Sequence, residues 1–178
     1  MNRAVFLDRD GVLNRTVVDA EGVPHPPAHV AELQILPGVA AALDRLTARG
    51  FMLVVVTNQP DVARGRQRHE DVEAINQSLA AQLPLTAVYA CYHDNADRCE
   101  CRKPKPGLLT RAAADLDIDL KASFMVGDRW SDIVAGTVAG CRGSYLVEAS
   151  YSESHRCMPA AVVKDVAEAA DLILAGGG

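Results

Sequence analysis

Two apolar runs, AVFLD at residues 4–8 and FMLVVVTN at residues 51–58, finish in polar side chains and flank a helical pattern. Runs that are apolar throughout and rich in β-branched residues form strands buried on both faces of a parallel sheet. Between them PGVAAALDRLTARG (37–50) sets Val39, Leu43 and Leu46 on one helical face, with Pro37 suited to the first turn and Gly50 to the exit. The alternation continues through a helix near 69–82, a strand near 86–91, a helix near 107–116, a strand at 123–127, a helix near 130–139 and a strand at 144–147. A short strand at 161–163 and a helix at 166–175 close the pattern, and the glycine tail is expected to fray. Repeated strand–helix units predict an α/β, Rossmann-like, doubly wound and mostly parallel sheet, with right-handed crossovers and helices on both faces.

A chain of 178 residues, 49% hydrophobic and 23% charged, is long enough to bury one core, so a single domain over 1–178 is expected. Its net charge of −5 argues against a nucleic-acid partner, which requires a broad basic face. No apolar run approaches the roughly 20 residues of a membrane span. MNRAVFLDRD meets acidic residues too early for a secretory signal, so a cytoplasmic setting is expected. Five cysteines, an odd number in a reducing compartment, weigh against a disulfide framework.

Ligands of such sheets bind beyond the carboxyl ends of the strands, where the strand order reverses. The first strand ends in Asp8-Arg9-Asp10-Gly11, the second in Thr57-Asn58-Gln59 and the fourth in Gly127-Asp128, with Asp132 one helical turn on; Arg102-Lys103 precedes the fourth. Three carboxylates in one cleft repel unless a cation screens them, and hard oxygen donors suit Mg²⁺. Asp8 then stands as a nucleophile toward phosphorus, and Asp10 as the acid that protonates the leaving alcohol and the base that activates water. Thr57 and Asn58 are expected to donate to phosphoryl oxygens, with Arg102 and Lys103 supplying positive charge. Each motif alone has a plainer reading: Thr, Asn and Gly-Asp commonly end strands or cap helices, and Asp132 alone reads as a solvated helix-surface residue. Joint placement at successive strand ends favours the catalytic reading.

LDRDGVLN, VVTNQ, RKPKPG and VGDRWSD resemble, in order, the four motifs of the haloacid dehalogenase superfamily of phosphohydrolases, over roughly residues 4–148. The DxDG form is similar to that of the phosphatases rather than the dehalogenases. The resemblance implies that Asp8 is nucleophile and Mg²⁺ ligand, that Asp10 is acid/base and a ligand through its carbonyl, and that Asp128 is the third protein ligand. Many members carry a cap domain, but the loop from Asn14 to Leu36 is too short for one, and residues 60–102 are largely taken up by one helix and one strand. A capless, open site is expected. Short loops then recognise the substrate, with Arg64 a candidate for a second anionic group. His25 and His29 read as surface-loop histidines before they read as substrate contacts.

Cys91, His93, Cys99 and Cys101 form C-x-H-x5-C-x-C. Three thiolates and an imidazole suit tetrahedral Zn²⁺, and four protein ligands leave no open position, which marks a structural site. Cys141 and Cys157 fall outside the pattern and read as core or surface thiols. The loop followed by CRKPKPG resembles a subgroup acting on heptose bisphosphates or histidinol phosphate, and ARG (63–65) after TNQ favours the sugar. Pro60-Asp61 departs from the small residue and glycine usual there, adding stiffness and a negative charge. The implied activity is removal of the C7 phosphate of D-glycero-D-manno-heptose 1,7-bisphosphate. Histidinol phosphate or another small sugar phosphate is the alternative substrate, and a non-catalytic zinc-stabilised binding module the alternative of a different class. A monomer is expected.

Overall fold

Val5 and Leu7 of strand β1 (Arg3–Leu7) pack into one core layer, and Ala4 and Phe6 into the other. This period-two division, repeated in the neighbouring strands, is why the central runs are apolar without interruption. The computed structural model describes residues 1–148 and 158–176. After β1 come the two-residue strands β2 (Val17–Val18) and β3 (Pro24–His25), then α1 (Val39–Ala48), β4 (Phe51–Asn58), α2 (His69–Gln82) and β5 (Ala87–Cys91). The chain continues through α3 (Gly107–Asp115), β6 (Phe124–Gly127), α4 (Trp130–Ala139), β7 (Gly143–Val147), β8 (Ala161–Val163) and α5 (Val166–Gly176).

The main sheet runs β5-β4-β1-β6-β7-β8, every pair parallel. The chain moves outward from β1 through β4 to β5, then returns to the other side of β1 for β6. The order therefore reverses at β1, and a crevice opens beyond the carboxyl ends of β1, β4 and β6. Leu7 pairs with both Val55 and Val126, which puts Asp8 level with Val56 and Gly127. One layer is filled by Leu43 and Leu46 of α1 and Ala170 and Ile173 of α5; the other by Leu108, Leu109 and Ala112 of α3 and Ala135 of α4.

Helix α1 begins at Val39 because Gly38, in the left-handed region at φ 81°, forms its N-cap; Pro37 lies just outside. Gly50, at φ 78°, makes the exit that its position implies. The Asn14–Leu36 segment is more ordered than a plain loop, since β2 and β3 pair antiparallel across a turn closed by Asp19, which accepts from the N–H groups of Glu21 and Val23. No helix among the described residues is long and apolar enough to cross a membrane. Cys141 is a half-buried free thiol pushed up to about 12 by burial, and Cys157 lies outside the described residues.

Candidate active site and metal centres

Lys103 reaches the switch point from the segment before α3 and is almost wholly buried there. Its Nζ donates to Asp8 Oδ1 at 2.7 Å and to the Val56 carbonyl at 2.6 Å, and lies 2.6 Å from Asp132 Oδ1. Burial disfavours the ammonium, but Asp132 and then Asp8 outweigh it and hold Lys103 above the ordinary lysine value. Burial pushes Asp8 up to about 6 against the pull of Lys103, with Asp132 and Asp10 adding to the rise. Asp132 is thus no surface residue: it is 1% exposed, and its second oxygen accepts from the Arg129 N–H at 3.0 Å. The four-residue spacing from Asp128 placed it on the correct helical face but carried no information on depth.

Oxygens of Asp8, Asp128 and Asp132 lie within 4.8 Å of one another. Three buried carboxylates against one lysine leave an excess of negative charge, and a set of hard oxygens fits Mg²⁺. Asp8, Asp128 and Asp132 could each offer an oxygen to such an ion; both Asp132 oxygens also hold protein groups, the Lys103 ammonium and the Arg129 N–H. Two glycines permit this crowding. A Cβ on Gly11, which sits at φ 88°, would lie 2.2 Å from Asp128 Oδ2, and one on Gly127 would lie 2.2 Å from Asp132 Cβ. Gly127→Ala is therefore expected to displace the first turn of α4, costing about 1–3 kcal/mol. For a chain of this size that lowers Tm by about 2–4 °C per kcal/mol. Thermal unfolding checks it, and an unchanged Tm would mean that α4 yields freely.

Asp10 lines the same cleft but is held by its own set of partners. Its Oδ1 accepts from Asn14 Nδ2 at 2.9 Å, and its Oδ2 from Arg9 Nη2 at 3.0 Å and Gln59 Nε2 at 2.8 Å. Arg9, fully buried, also donates to Asn76 Oδ1 on α2 at 2.7 Å. Neither Arg9 nor Gln59 was singled out from sequence, since a residue flanking a motif carries no periodicity of its own. Thr57 and Asn58 end β4 beside this group. The Asn58 carboxamide, expected to serve phosphoryl oxygens, lines the cleft and bonds both backbone groups of Lys103, donating to its carbonyl at 3.0 Å and accepting from its N–H at 3.1 Å. Asn58 is a latch on Lys103.

Cys91, in register with Asn58, opens the second cluster. Its sulfur is 3.7 Å from Cys99 Sγ, 3.1 Å from Cys101 Sγ and 3.6 Å from His93 Nδ1, and His93 Nδ1 is 3.3 Å from Cys101 Sγ. A disulfide would bring sulfurs to about 2.05 Å. Tetrahedral Zn–S bonds of about 2.3 Å set donors about 3.8 Å apart, close to what is seen. The donor set fits zinc. Burial pushes the Cys91 thiol up; at Cys99 the Arg102 N–H and neighbouring sulfurs outweigh burial and bring the thiol down.

The loop carries polar groups to the cleft. Arg102 Nε donates to Asn95 Oδ1 at 2.8 Å and Nη1 to the His93 carbonyl at 3.4 Å. Arg64 forms a two-pronged ion pair with Asp94, both contacts 2.8 Å, and a longer one of 3.4 Å with Asp61. The arginine expected to meet a second anionic group is thus held between two carboxylates. A cleft of about 490 Å³ connects these parts, lined among others by Asp8, Thr57, Arg64, Arg102, Lys103 and Trp130. His25, its side chain well exposed, lines it too, with Nε2 2.6 Å from Asp19 Oδ2; His29 lies 3.6 Å from Asp71 on the outside.

A parallel sheet whose switch point gathers an aspartate from β1, a second two residues on, a hydroxyl from β4, a buried lysine and an acidic pair after β6 defines a phosphohydrolase of the haloacid dehalogenase type. A HAD-hydrolase-like family profile matches residues 100–169. The chain belongs to this family, among its phosphatases. It is 38% identical to the D-glycero-beta-D-manno-heptose-1,7-bisphosphate 7-phosphatase of Pasteurella multocida over 160 residues, 83% of each chain. The protein of the same name from Escherichia coli K12 is 37% identical over 157 residues, 81% of this chain and 78% of that one. Among solved structures, the D,D-heptose 1,7-bisphosphate phosphatase of B. bronchiseptica complexed with magnesium and phosphate matches with a TM-score of 0.78 at 31% identity, over 97% of this chain and 98% of that one.

Proposed function

We propose that this chain, acting as one domain and as a monomer in the cytoplasm, removes the C7 phosphate of D-glycero-D-manno-heptose 1,7-bisphosphate to leave heptose 1-phosphate. The observation that supports it most is that Asp8, Asp10, Lys103 and Asp128 line one cleft at the switch point, in a chain 38% identical to a heptose-1,7-bisphosphate 7-phosphatase. Asp8, Asp128 and the Asp10 carbonyl would hold Mg²⁺, which would supply charge neutralisation during phosphoryl transfer. The Asp8 carboxylate attacks phosphorus as the bond to the C7 oxygen breaks, and that oxygen leaves with the electron pair and takes the proton of Asp10. An acyl phosphate on Asp8 and a free alcohol result. Asp10, now ionised, withdraws a proton from water, whose oxygen attacks phosphorus and releases Asp8 and inorganic phosphate. Lys103 and the Thr57 hydroxyl stabilise the charge on the phosphoryl group in both steps. Arg102 and Arg64 form the cationic side of the cleft for the 1-phosphate, and zinc on Cys91, His93, Cys99 and Cys101 holds that side in place.

Phosphate release from heptose 1,7-bisphosphate, histidinol phosphate and common hexose phosphates tests the reading, with ³¹P NMR of the product to show which ester was cut. A kcat/KM for the heptose bisphosphate about 10²-fold above that for histidinol phosphate is expected, because a site built for polar substrate groups discriminates strongly. Preference for histidinol phosphate, or formation of heptose 7-phosphate, would overturn it.

A further inference from the structure

Gln59 is 1% exposed and its amide nitrogen has two hydrogens, both in use: one on Asp10 Oδ2 at 2.8 Å, the other on Thr57 Oγ1 at 2.9 Å. Its carbonyl Oε1 is buried with no hydrogen-bond partner among the described residues. The ionised Asp10 carboxylate can only accept, so the amide nitrogen rather than the oxygen must face it. This amide is oriented for its donors. Its backbone is fixed independently, since the Gln59 N–H donates to the Cys91 carbonyl at 2.7 Å.

We propose that Gln59 is a positioning residue that sets the acid/base group and the phosphate-facing hydroxyl in one geometry. Because Thr57 Oγ1 accepts from Gln59, the Thr57 hydrogen is left to donate elsewhere, and Thr57 lines the cleft. The other hydrogen holds the Asp10 carboxylate at a fixed distance from that hydroxyl, so the proton of Asp10 is delivered beside the phosphoryl group that Thr57 steadies. Arg9 and Asn14 also hold Asp10, but neither is hydrogen-bonded to Thr57. Gln59 alone among them links the two strand ends.

The inference rests on the phosphatase reading above, and its test separates the two. Asp10 must protonate an alkoxide when the substrate is a sugar phosphate, whereas p-nitrophenolate leaves without help. Measured as kcat/KM, which reports no step after the leaving group departs, Gln59→Leu is expected to lose about 30- to 100-fold with the heptose bisphosphate and less than about 10-fold with p-nitrophenyl phosphate. Gln59→Glu, which removes both donors and sets a carboxylate against Asp10, is expected to widen that gap and stands in if the leucine variant unfolds. Equal losses on both substrates would overturn the positioning role and leave Gln59 as packing. If the unmodified protein hydrolyses other alkyl phosphates but not the heptose bisphosphate, the substrate reading falls and the comparison runs unchanged on the alkyl ester it does accept.

Discussion

Asp8→Asn is expected to lower kcat by about 10⁴–10⁶ without unfolding the protein. The upper part of that range is what loss of a covalent nucleophile removes when the remaining machinery cannot replace it. Asparagine keeps the shape of the side chain, and Lys103 keeps Asp132 and the Val56 carbonyl as partners. The change also removes one negative charge from a buried cluster in which Asp8 is already pushed up to about 6. Tm should therefore hold or rise while turnover disappears, an outcome opposite to that of a misfolded variant. Single-turnover phosphate release and a thermal melt on the same preparation make the check. Residual activity above about 1% would exclude an acyl phosphate on Asp8. It would also reopen the place of Asp8 as a mere ligand, the role it would have in a binding module of the same fold.

The buried strands were readable because a parallel sheet covered on both faces demands unbroken apolar runs: FMLVVVTN occupies the whole of Phe51–Asn58, and the helix near 69–82 is His69–Gln82. The pairing of β2 with β3 was not, since two-residue strands have no period and the Asp19 turn that joins them is made by a side chain. Within the site, sequence order gave the strand ends that meet, because right-handed parallel crossovers leave few alternatives. It did not give who pairs with whom once they meet. Arg64 and Asp94 are thirty positions apart, and Asn58 reaches Lys103 across forty-five. Both contacts make an expected ligand donor serve also as a brace for its neighbours. Asp132 taken alone reads as a surface residue for the same reason, since its depth depends on the arrival of Lys103.

Those braces converge on the cysteine loop, which gives zinc removal the second large expected effect. The Cys91 carbonyl accepts from Gln59, the Cys99 carbonyl from Lys105 Nζ at 2.8 Å, and the His93 carbonyl from Arg102; Asp94 grips Arg64. A metal that fixes Cys91, His93, Cys99 and Cys101 would thus order the supports of Arg102 and Arg64, both of which line the cleft. Zinc binding in small peptides is worth about 10–16 kcal/mol; the strand already fixes Cys91 here, so a smaller loss, on the order of 4 kcal/mol, is expected from Cys101→Ser or from complete chelation. At about 2–4 °C per kcal/mol that lowers Tm by roughly 8–16 °C. Inorganic phosphate should bind about tenfold or more weakly, since Arg102 and Lys103 lose their support while Asp8, Asp10 and Asp128 remain. Magnesium withdrawal should do the reverse, stopping turnover with little change in the melt. Zinc content by atomic spectroscopy, calorimetric melting and phosphate inhibition of the metal-stripped and zinc-restored protein separate the two metals. If the stripped protein melts and binds phosphate as before, the loop holds nothing in place and Lys103 is kept by Asp8, Asp132 and Asn58 alone.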